Sequence, residues 1–177
     1  VSREEELALK AIQTTYQVDD RYNAVTHSFL QSCVEIFREA PVTLLREHYR
    51  CHPKIIEFCN QRFYNGELVA MTTDEGEKDV LQVIRTVPGN HARGHFNQRE
   101  IDVITQEVLP ECAESGRIGI ITPYRAQAEA INKTVGKDIA STVHKYQGRE
   151  CDTIIMSMVD NYPTEFSDDA NLLNVAI

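Results

Sequence analysis

Two short segments of the sequence place groups together that could bind a charged, planar ligand. Tyr49 and Arg50 set an aromatic ring beside a forked cation. The pair suits a nucleobase and a phosphate, although two such residues alone more often form a tyrosine packed beneath a surface arginine. Gln147–Glu150 combines a glycine, a cation and a carboxylate that could accept from a sugar hydroxyl. Taken alone, this tetrapeptide is more often a simple turn between two strands.

Small hydrogen-bond donors and cations also occur where predicted strands end. They are Thr122, Thr142, His144 and Lys145. Such groups suit a phosphodiester backbone, although each of them, taken singly, is more often a solvated loop residue. Ligands of open parallel sheets bind at the carboxyl ends of the strands, so the position of these residues supports a binding hypothesis.

The hydrophobic pattern predicts the elements that must position these side chains. Apolar runs predict strands at Val42–Leu45, Leu81–Val87, Ile118–Thr122 and Thr153–Val159, with a shorter candidate at Ala140–His144. Amphipathic spacing predicts helices over His27–Glu39, Pro53–Phe63, Asn97–Glu114 and Tyr124–Val135. Pro110 should kink or shorten the third helix. The alternation of strands and helices predicts a three-layer α/β fold with a mostly parallel sheet.

Charge and hydropathy restrict the classes of partner. The chain has 177 residues and a net charge of −9, which argues mildly against a protein that coats itself in nucleic acid. Between Arg117 and Arg149, however, six basic residues occur with only two acidic ones, and local charge attracts a polyanion more than the total does. No apolar run is long enough to span a bilayer, and the N-terminus carries no secretory signal. We therefore expect no membrane partner.

The cysteines indicate a reducing compartment. There are five of them, an odd number, and no Cys-x-x-Cys pair occurs. We therefore expect reduced thiols in a cytoplasmic protein. His48, Cys51 and His52, with Cys59 further along, make a zinc site worth considering. Their spacing matches no common structural zinc pattern, so we expect no metal site.

Several motifs of nucleotide-binding and hydrolytic enzymes are missing from the sequence. It contains no GxxxxGK[ST] phosphate-binding loop (Walker A), no GxGxxG, no GxSxG and no HExxH. This chain alone therefore cannot build a complete phosphate-binding loop of the usual kind.

Four blocks, in order along the chain, resemble the second RecA-like domain of superfamily 1 helicases. They are Tyr49-Arg50-x-His52-Pro53, Ile121-Thr122-Pro123-Tyr124-Arg125-x-Gln127, Thr142-Val143-x-x-Tyr146-Gln147-Gly148-Arg149-Glu150 and Asn171-Leu172-Leu173-Asn174-Val175-Ala176-Ile177. The similarity is greatest to the branch that contains the nonsense-mediated-decay RNA helicase and its bacterial relatives. It implies a RecA-like fold of the P-loop NTPase class, here without Walker A.

The resemblance implies an ATP site to which this chain contributes one half. Tyr49 would stack on the adenine, and Arg50 would reach the γ-phosphate as an arginine finger. Glu150 would hold the ribose, and Gly148 and Arg149 would lie near the phosphates. The Mg²⁺ ligands and the Walker motifs would lie on the first RecA-like domain, which is the expected partner domain.

The resemblance also implies a track for a single strand of nucleic acid. The residues expected along it are Thr122, Tyr124, Arg125, Thr142, His144 and Lys145. Gln127 would support the loop rather than contact the strand. We favour DNA over RNA as the strand.

The chain departs from the family pattern near its end. The pattern continues after the Asn-Val-Ala block with an arginine that also reaches the γ-phosphate, whereas this chain stops at Ile177. Asn171 and Leu172 replace an expected arginine pair. We therefore expect a fragment, with a linker and helix over residues 1–40 and a RecA-like domain over residues 41–177 that is truncated in its last motif.

Two classes of function remain open at this stage. The favoured one is the C-terminal motor domain of an ATP-dependent helicase, an enzyme as a whole protein but inactive as this fragment. The alternative is a non-enzymatic module, derived from a helicase, that binds nucleic acid or protein. An intact GxxxxGK[ST] upstream would favour the motor, and a degenerate one would favour the module.

Overall fold

The computed structural model describes residues 2–89, 92–146, 150–162, 164 and 170–176. The chain divides into two compact units, Val1–Leu45 and Arg46–Ile177. Within the described ranges, no helix combines the length and the apolar character that crossing a bilayer requires.

The first unit is helical. It contains α1 (Arg3–Thr15), a 3-10 turn (Asp20–Tyr22) and α2 (Phe29–Ile36). Both α-helices begin at a capping box, in which a serine hydroxyl and a Glu or Gln side chain satisfy each other's backbone N–H groups. Ser28 caps α2 and Phe37 ends it, so the helix is shorter than the predicted His27–Glu39.

A small parallel sheet begins the second unit. Its elements are β1 (Glu47–His48), α3 (Pro53–Phe63) and β2 (Val69–Ala70), with β1 paired to β2. The predicted bounds of α3 are confirmed, because Pro53 fits the first helical turn and His52 Nδ1 accepts the N–H of Lys54. The side-chain amide of Asn60 bonds both backbone groups of Leu68, which fixes the turn into β2.

An irregular helical segment over residues 98–111 precedes the main sheet. It consists of α4 (Gln98–Val103), a π-helical turn (Ile104–Val108) and α5 (Leu109–Glu111). Pro110 accounts for the irregularity, because a proline ring clashes with the carbonyl four residues earlier in a regular α-helix. The wider π turn, closed by the Leu109 N–H on the Ile104 carbonyl, relieves that clash. The predicted distortion at Pro110 is confirmed.

The main sheet has three parallel strands in the order β4-β3-β5. Its elements in chain order are β3 (Ile118–Thr122), α6 (Arg125–Val135), β4 (Ala140–Thr142), α7 (Val143–Tyr146) and β5 (Thr153–Met156). A last helix, α8, spans Ala170–Ala176. The register pairs Thr122 with Thr142, so the carboxyl ends of β3 and β4 lie side by side.

Helices cover both faces of this sheet. On one face, Ile120 packs with Ile101 and Ile104 of the residue 98–111 segment and with Ile131 of α6. On the other, Ile121 packs with residues of α7 and with Ala176 of α8. Consecutive residues of β3 point to opposite faces, so one short strand joins two separate clusters. The predicted three-layer α/β/α fold is confirmed.

Two predicted strands are wrong. Val42–Leu45 and Leu81–Val87 form no strand, and Leu45 and Val83 are 84% and 87% exposed. An apolar run becomes a strand only where another strand pairs with it, and among the described residues nothing pairs with these runs. β5 ends at Met156 rather than at Val159, since the chain turns toward α4 after that point.

Candidate functional site

Arg50 and Glu150 meet in an ion pair although they lie far apart in the chain. Arg50 follows β1, Glu150 precedes β5, and Arg50 Nε lies 3.3 Å from Glu150 Oε1. The two side chains are 62% and 61% exposed. An ion pair this exposed contributes roughly 0–1 kcal/mol to stability, so either group can turn to a ligand at little cost.

Tyr49 presents an open ring beside this pair in sequence. It is 65% exposed, and its hydroxyl donates to the carboxylate of Glu47. That hydrogen bond raises the pKa of Tyr49 above its ordinary value, which keeps the phenol neutral. A neutral, exposed ring can stack on a planar group.

The other two residues predicted for nucleotide binding, Gly148 and Arg149, lie outside the described residues. The segment that carries them is bounded by Tyr146 and Cys151, whose hydroxyl and Sγ lie 3.1 Å apart. Glu150 also borders a cleft of about 650 Å³, together with Arg117 and Asp138. The cleft lies at the amino ends of the main-sheet strands, where β3 and β5 begin.

The threonines of the predicted strand track lie at the carboxyl ends of β3 and β4. Thr142 is half-buried beside Thr122. Thr122 is fully buried, and its hydroxyl has no hydrogen-bond partner in the described part of the chain. Direct contact between Thr122 and a bound strand would therefore require the residues that cover it to move.

The cationic residues of the predicted track are accessible. His144 and Lys145 are exposed on α7. Arg125 is exposed at the start of α6, where its Nε donates to Glu129 at 2.6 Å. This i, i+4 pair offsets part of the charge that Arg125 would offer to a phosphate.

Tyr124 is held by two neighbours that bear ionisable groups. Its hydroxyl donates to Asp160 Oδ2 at 2.6 Å, and this bond raises the pKa of Tyr124. The ring of His95 stacks on the ring of Tyr124, with centroids 4.3 Å apart and planes inclined by 29°. Neither Asp160 nor His95 is identified by the sequence motifs.

A set of buried and partly buried hydrogen bonds, which we call the strand-end network, lies near these residues. Its members are Asn97, Glu100, Gln127, Ser157 and Val159. The Glu100 carboxylate accepts the Ser157 hydroxyl at 2.6 Å and the Val159 N–H at 3.0 Å. Gln127, fully buried, accepts the Asn97 N–H and donates to Ser157. Gln127 therefore makes the supporting bonds expected of it.

Val159 adopts a backbone conformation that β-branched residues rarely tolerate. Its φ is +68°, and the residue is fully buried. Such strain persists where the surroundings over-determine the conformation. Here the Val159 N–H is held by Glu100 and its carbonyl accepts from Asn97 Nδ2 at 3.0 Å. The Asn97-x-x-Glu100 spacing, a helix-capping signature, is the sequence signal that could have pointed to this network.

The spacing of His48 and Cys51 is explained by neutral hydrogen bonds. His48 Nε2 accepts the Cys51 N–H at 3.0 Å and lies 3.1 Å from the Cys51 Sγ. Burial lowers the pKa of His48 and raises the pKa of the Cys51 thiol. Because metal binding requires the thiolate, this environment opposes a zinc site.

A second group of potential metal ligands joins His52, Asp74 and Glu77. His52 Nε2 lies 3.4 Å from Asp74 and 3.5 Å from Glu77. His52 Nδ1 accepts the Lys54 N–H, so a neutral ring carries its proton on Nε2 and offers no lone pair there. The Lys54 ammonium also lies 2.9 Å from Asp74. These contacts suit a tether between a loop and the start of α3 better than a metal site.

Comparison with known proteins places most of the chain in one family. Residues 25–177 match the AAA domain family. The chain is 30% identical, over 156 residues, to the 5'-3' DNA helicase ZGRF1 of Mus musculus, covering 76% of this chain and 8% of that protein. It is 30% identical over 165 residues to the helicase sen1 of Schizosaccharomyces pombe, covering 76% of this chain and 10% of that protein.

A third relative aligns with nearly all of the chain. This is the DNA polymerase alpha-associated DNA helicase A of Saccharomyces cerevisiae, which is 24% identical over 216 residues, covering 95% of this chain and 31% of that protein. The chain thus spans less than a third of the length of each of these relatives.

Proposed function

Because the chain belongs to the AAA domain family, we propose that it is the second RecA-like motor domain of an ATP-dependent nucleic-acid helicase of superfamily 1. Relatives that are themselves named helicases support this reading. The observation that carries it is the Arg50–Glu150 pair. Two residues that the resemblance assigns to one nucleotide come from separate motifs, and their side chains lie 3.3 Å apart.

The groups at this pair fit half of an ATP site. Tyr49 offers an exposed, neutral ring for the adenine, and the Glu150 carboxylate can accept from a ribose hydroxyl. The Arg50 guanidinium can bind a phosphate in place of Glu150. Gly148 and Arg149 complete the proposed half-site. The Walker motifs and the Mg²⁺ ligands would come from the first RecA-like domain.

ATP supplies the phosphoanhydride bond whose hydrolysis drives the motor. Arg50 acts on that reaction by placing its positive charge where negative charge develops on the transferred phosphoryl group. Its side chain would reach that position when the two domains close on the nucleotide. Closing and opening of the cleft would then alternate the grip on a nucleic-acid strand.

The strand would lie across the carboxyl ends of β3 and β4. Tyr124, Arg125, Thr142, His144 and Lys145 are the proposed contacts, with Thr122 joining them if the residues above it move. The exposed cations favour a polyanion. We propose single-stranded DNA as the preferred strand. The location is proposed to be cytoplasmic, in keeping with five free thiols.

The proposal is tested with a protein that carries this domain together with its first motor domain. ATP hydrolysis is measured in the presence of Mg²⁺, without nucleic acid, with single-stranded DNA and with single-stranded RNA. We expect hydrolysis that either strand stimulates, with the larger stimulation by DNA. The 177-residue chain alone should bind the strand without hydrolysing ATP, since it has no Walker A.

Two outcomes would change the proposed function or the preferred strand. A folded two-domain protein that hydrolyses no ATP under any of these conditions would point to the alternative, a binding module derived from a helicase. Stronger stimulation by RNA would keep the motor and reverse the preferred strand.

A further inference from the structure

His95 and Tyr124 form an aromatic stack at the carboxyl end of the main sheet. The ring centroids are 4.3 Å apart and the planes are inclined by 29°. Tyr124 is half-buried, whereas His95 is exposed. Tyr124 covers one face of the imidazole, and the exposed side of His95 remains accessible to a further planar group.

The inner member of the stack is held rigidly. The Tyr124 hydroxyl donates to Asp160 at 2.6 Å. Asp160 follows Val159, whose left-handed conformation is fixed by the Glu100 carboxylate on its N–H. The strand-end network thus sets the position of Asp160, and Asp160 sets the orientation of the Tyr124 ring.

The outer member is held by a tight turn. The Arg93 N–H donates to the Phe96 carbonyl at 2.7 Å, and Ala92 forms an antiparallel bridge with Asn97. Gly94 has a φ of +62°, which glycine adopts without steric cost. Phe96 packs against the core cluster. The backbone on both sides of His95 is therefore fixed before any ligand arrives.

We propose that the exposed face of His95 is a stacking site for one base of the bound single strand. The site rests on the proposed function and adds a residue outside the four helicase-like blocks. Aromatic side chains, histidine included, bind unpaired bases by stacking, with little dependence on base identity. Arg93, exposed in the same turn, supplies a cation for an adjacent phosphate. A preformed stack binds a base at a smaller entropic cost than a mobile ring does.

The test compares base-bearing and abasic strands of equal length. Binding of the 177-residue chain to a labelled short oligothymidylate, and to the same oligomer lacking its bases, is followed by fluorescence anisotropy at one salt concentration. His95→Ala should weaken oligothymidylate binding by about tenfold and leave abasic binding unchanged. His95→Phe, which keeps a stacking ring, should bind both oligomers as the unsubstituted chain does.

Two controls separate stacking from damage to the fold. Tyr16→Ala removes a ring that is 75% exposed in the first unit, and it should leave both affinities unchanged. Thermal unfolding of each variant should match that of the unsubstituted chain, because His95 is exposed.

The results that would contradict the proposal also separate failure of the stacking site from failure of the proposed function. If His95→Ala binds oligothymidylate as tightly as the unsubstituted chain, or loses equal affinity for both oligomers, the stacking site is wrong and the proposed function stands. If the unsubstituted chain binds neither oligomer, the proposed function fails and the stacking site fails with it.

Discussion

The strand-end network and the Arg50–Glu150 pair are built in opposite ways. In the network, one carboxylate, two carboxamides, one hydroxyl and several backbone groups satisfy one another inside the protein, and Gln127, Ser157 and Val159 are at most 1% exposed. The Arg50–Glu150 pair consists of a single contact of 3.3 Å between side chains more than 60% exposed. The hydrogen-bonding groups of the network are satisfied within this chain, whereas the side chains of the ion pair remain exposed.

The difference follows from what each region is proposed to do. A surface that binds a strand without covalent chemistry gains from groups fixed in advance, because less freedom is lost on binding. A half-site that must close on a nucleotide against another domain gains from side chains that can be rearranged. We therefore expect substitutions in the network to change stability, and substitutions at the pair to change activity.

Arg50→Ala should give the largest difference between an effect on activity and an effect on stability. In a protein that carries both motor domains, this change should lower ATP hydrolysis by about a thousandfold or more, because an arginine finger stabilises charge in the transition state. Stability should change by less than about 1 kcal/mol, since the ion pair is exposed. Steady-state ATP hydrolysis and urea unfolding measure the two effects.

Arg46→Ala is the matched control for Arg50→Ala. Arg46 lies on the other side of β1 from Arg50 and also forms an exposed ion pair, with Glu67 at 2.7 Å. Its loss should leave hydrolysis unchanged. Normal hydrolysis by Arg50→Ala, or an equal loss in Arg46→Ala, would remove the arginine-finger assignment.

Glu100→Gln tests the strand-end network. The Val159 N–H is shared between both carboxylate oxygens of Glu100. In either orientation of the glutamine amide, an NH₂ group that cannot accept therefore replaces one of the two acceptors and faces this N–H as a second donor. We expect a loss of about 2 kcal/mol in the free energy of unfolding, measured with urea. Glu107→Gln, an exposed glutamate in the same helical segment, should change stability by less than about 0.5 kcal/mol. Equal effects from the two variants would show that the network contributes little.

Gly119→Ala tests the close contact between β3 and Tyr146, which begins the segment that leads to Glu150. A methyl group at this position would overlap the Tyr146 hydroxyl, so we expect a loss of about 2 kcal/mol in stability. In a Tyr146→Ala background the same substitution should have a much smaller effect. Additive losses in this double-mutant cycle would mean that the crowding has another cause.

The smallest expected effect is the titration of Tyr124. The hydrogen bond to Asp160 raises its pKa above the ordinary value of about 10. A group whose folded pKa is raised stabilises the fold below its unfolded pKa, and that contribution is lost as pH rises through the folded pKa. Tyrosinate absorbance of the unsubstituted chain, compared with Tyr124→Phe, isolates this titration. Asp160→Asn should shift it to lower pH, and no shift would contradict the bond.

The sequence predicts best what local chemistry determines. The bounds of α3 follow from Pro53 and the His52 cap, and β3 follows from an uninterrupted apolar run. Leu81–Val87 also carries four apolar residues but forms no strand, because pairing depends on a partner that the pattern does not specify. Strands are more sensitive to such context than helices are.

In the candidate site too, motifs identify some residues, whereas others can be identified only from the tertiary structure. Tyr49, Arg50 and Glu150 could be chosen from motifs, because they match short, ordered blocks. Asp160 matches no such block, and for Glu100 the sequence offers only the helix-capping spacing with Asn97, which does not reveal the contact with Val159. Their partners, Val159 and Tyr124, are brought to them by the tertiary fold.

The contact between Tyr146 and Cys151 restricts how this stretch of chain can vary in length. The hydroxyl and the sulfur lie 3.1 Å apart, and four residues, 147–150, separate the two positions in the sequence. An insertion or a deletion between Tyr146 and Cys151 changes the length of chain whose two ends this contact holds together. Among relatives of this domain, we expect the number of residues between these two positions to be constant.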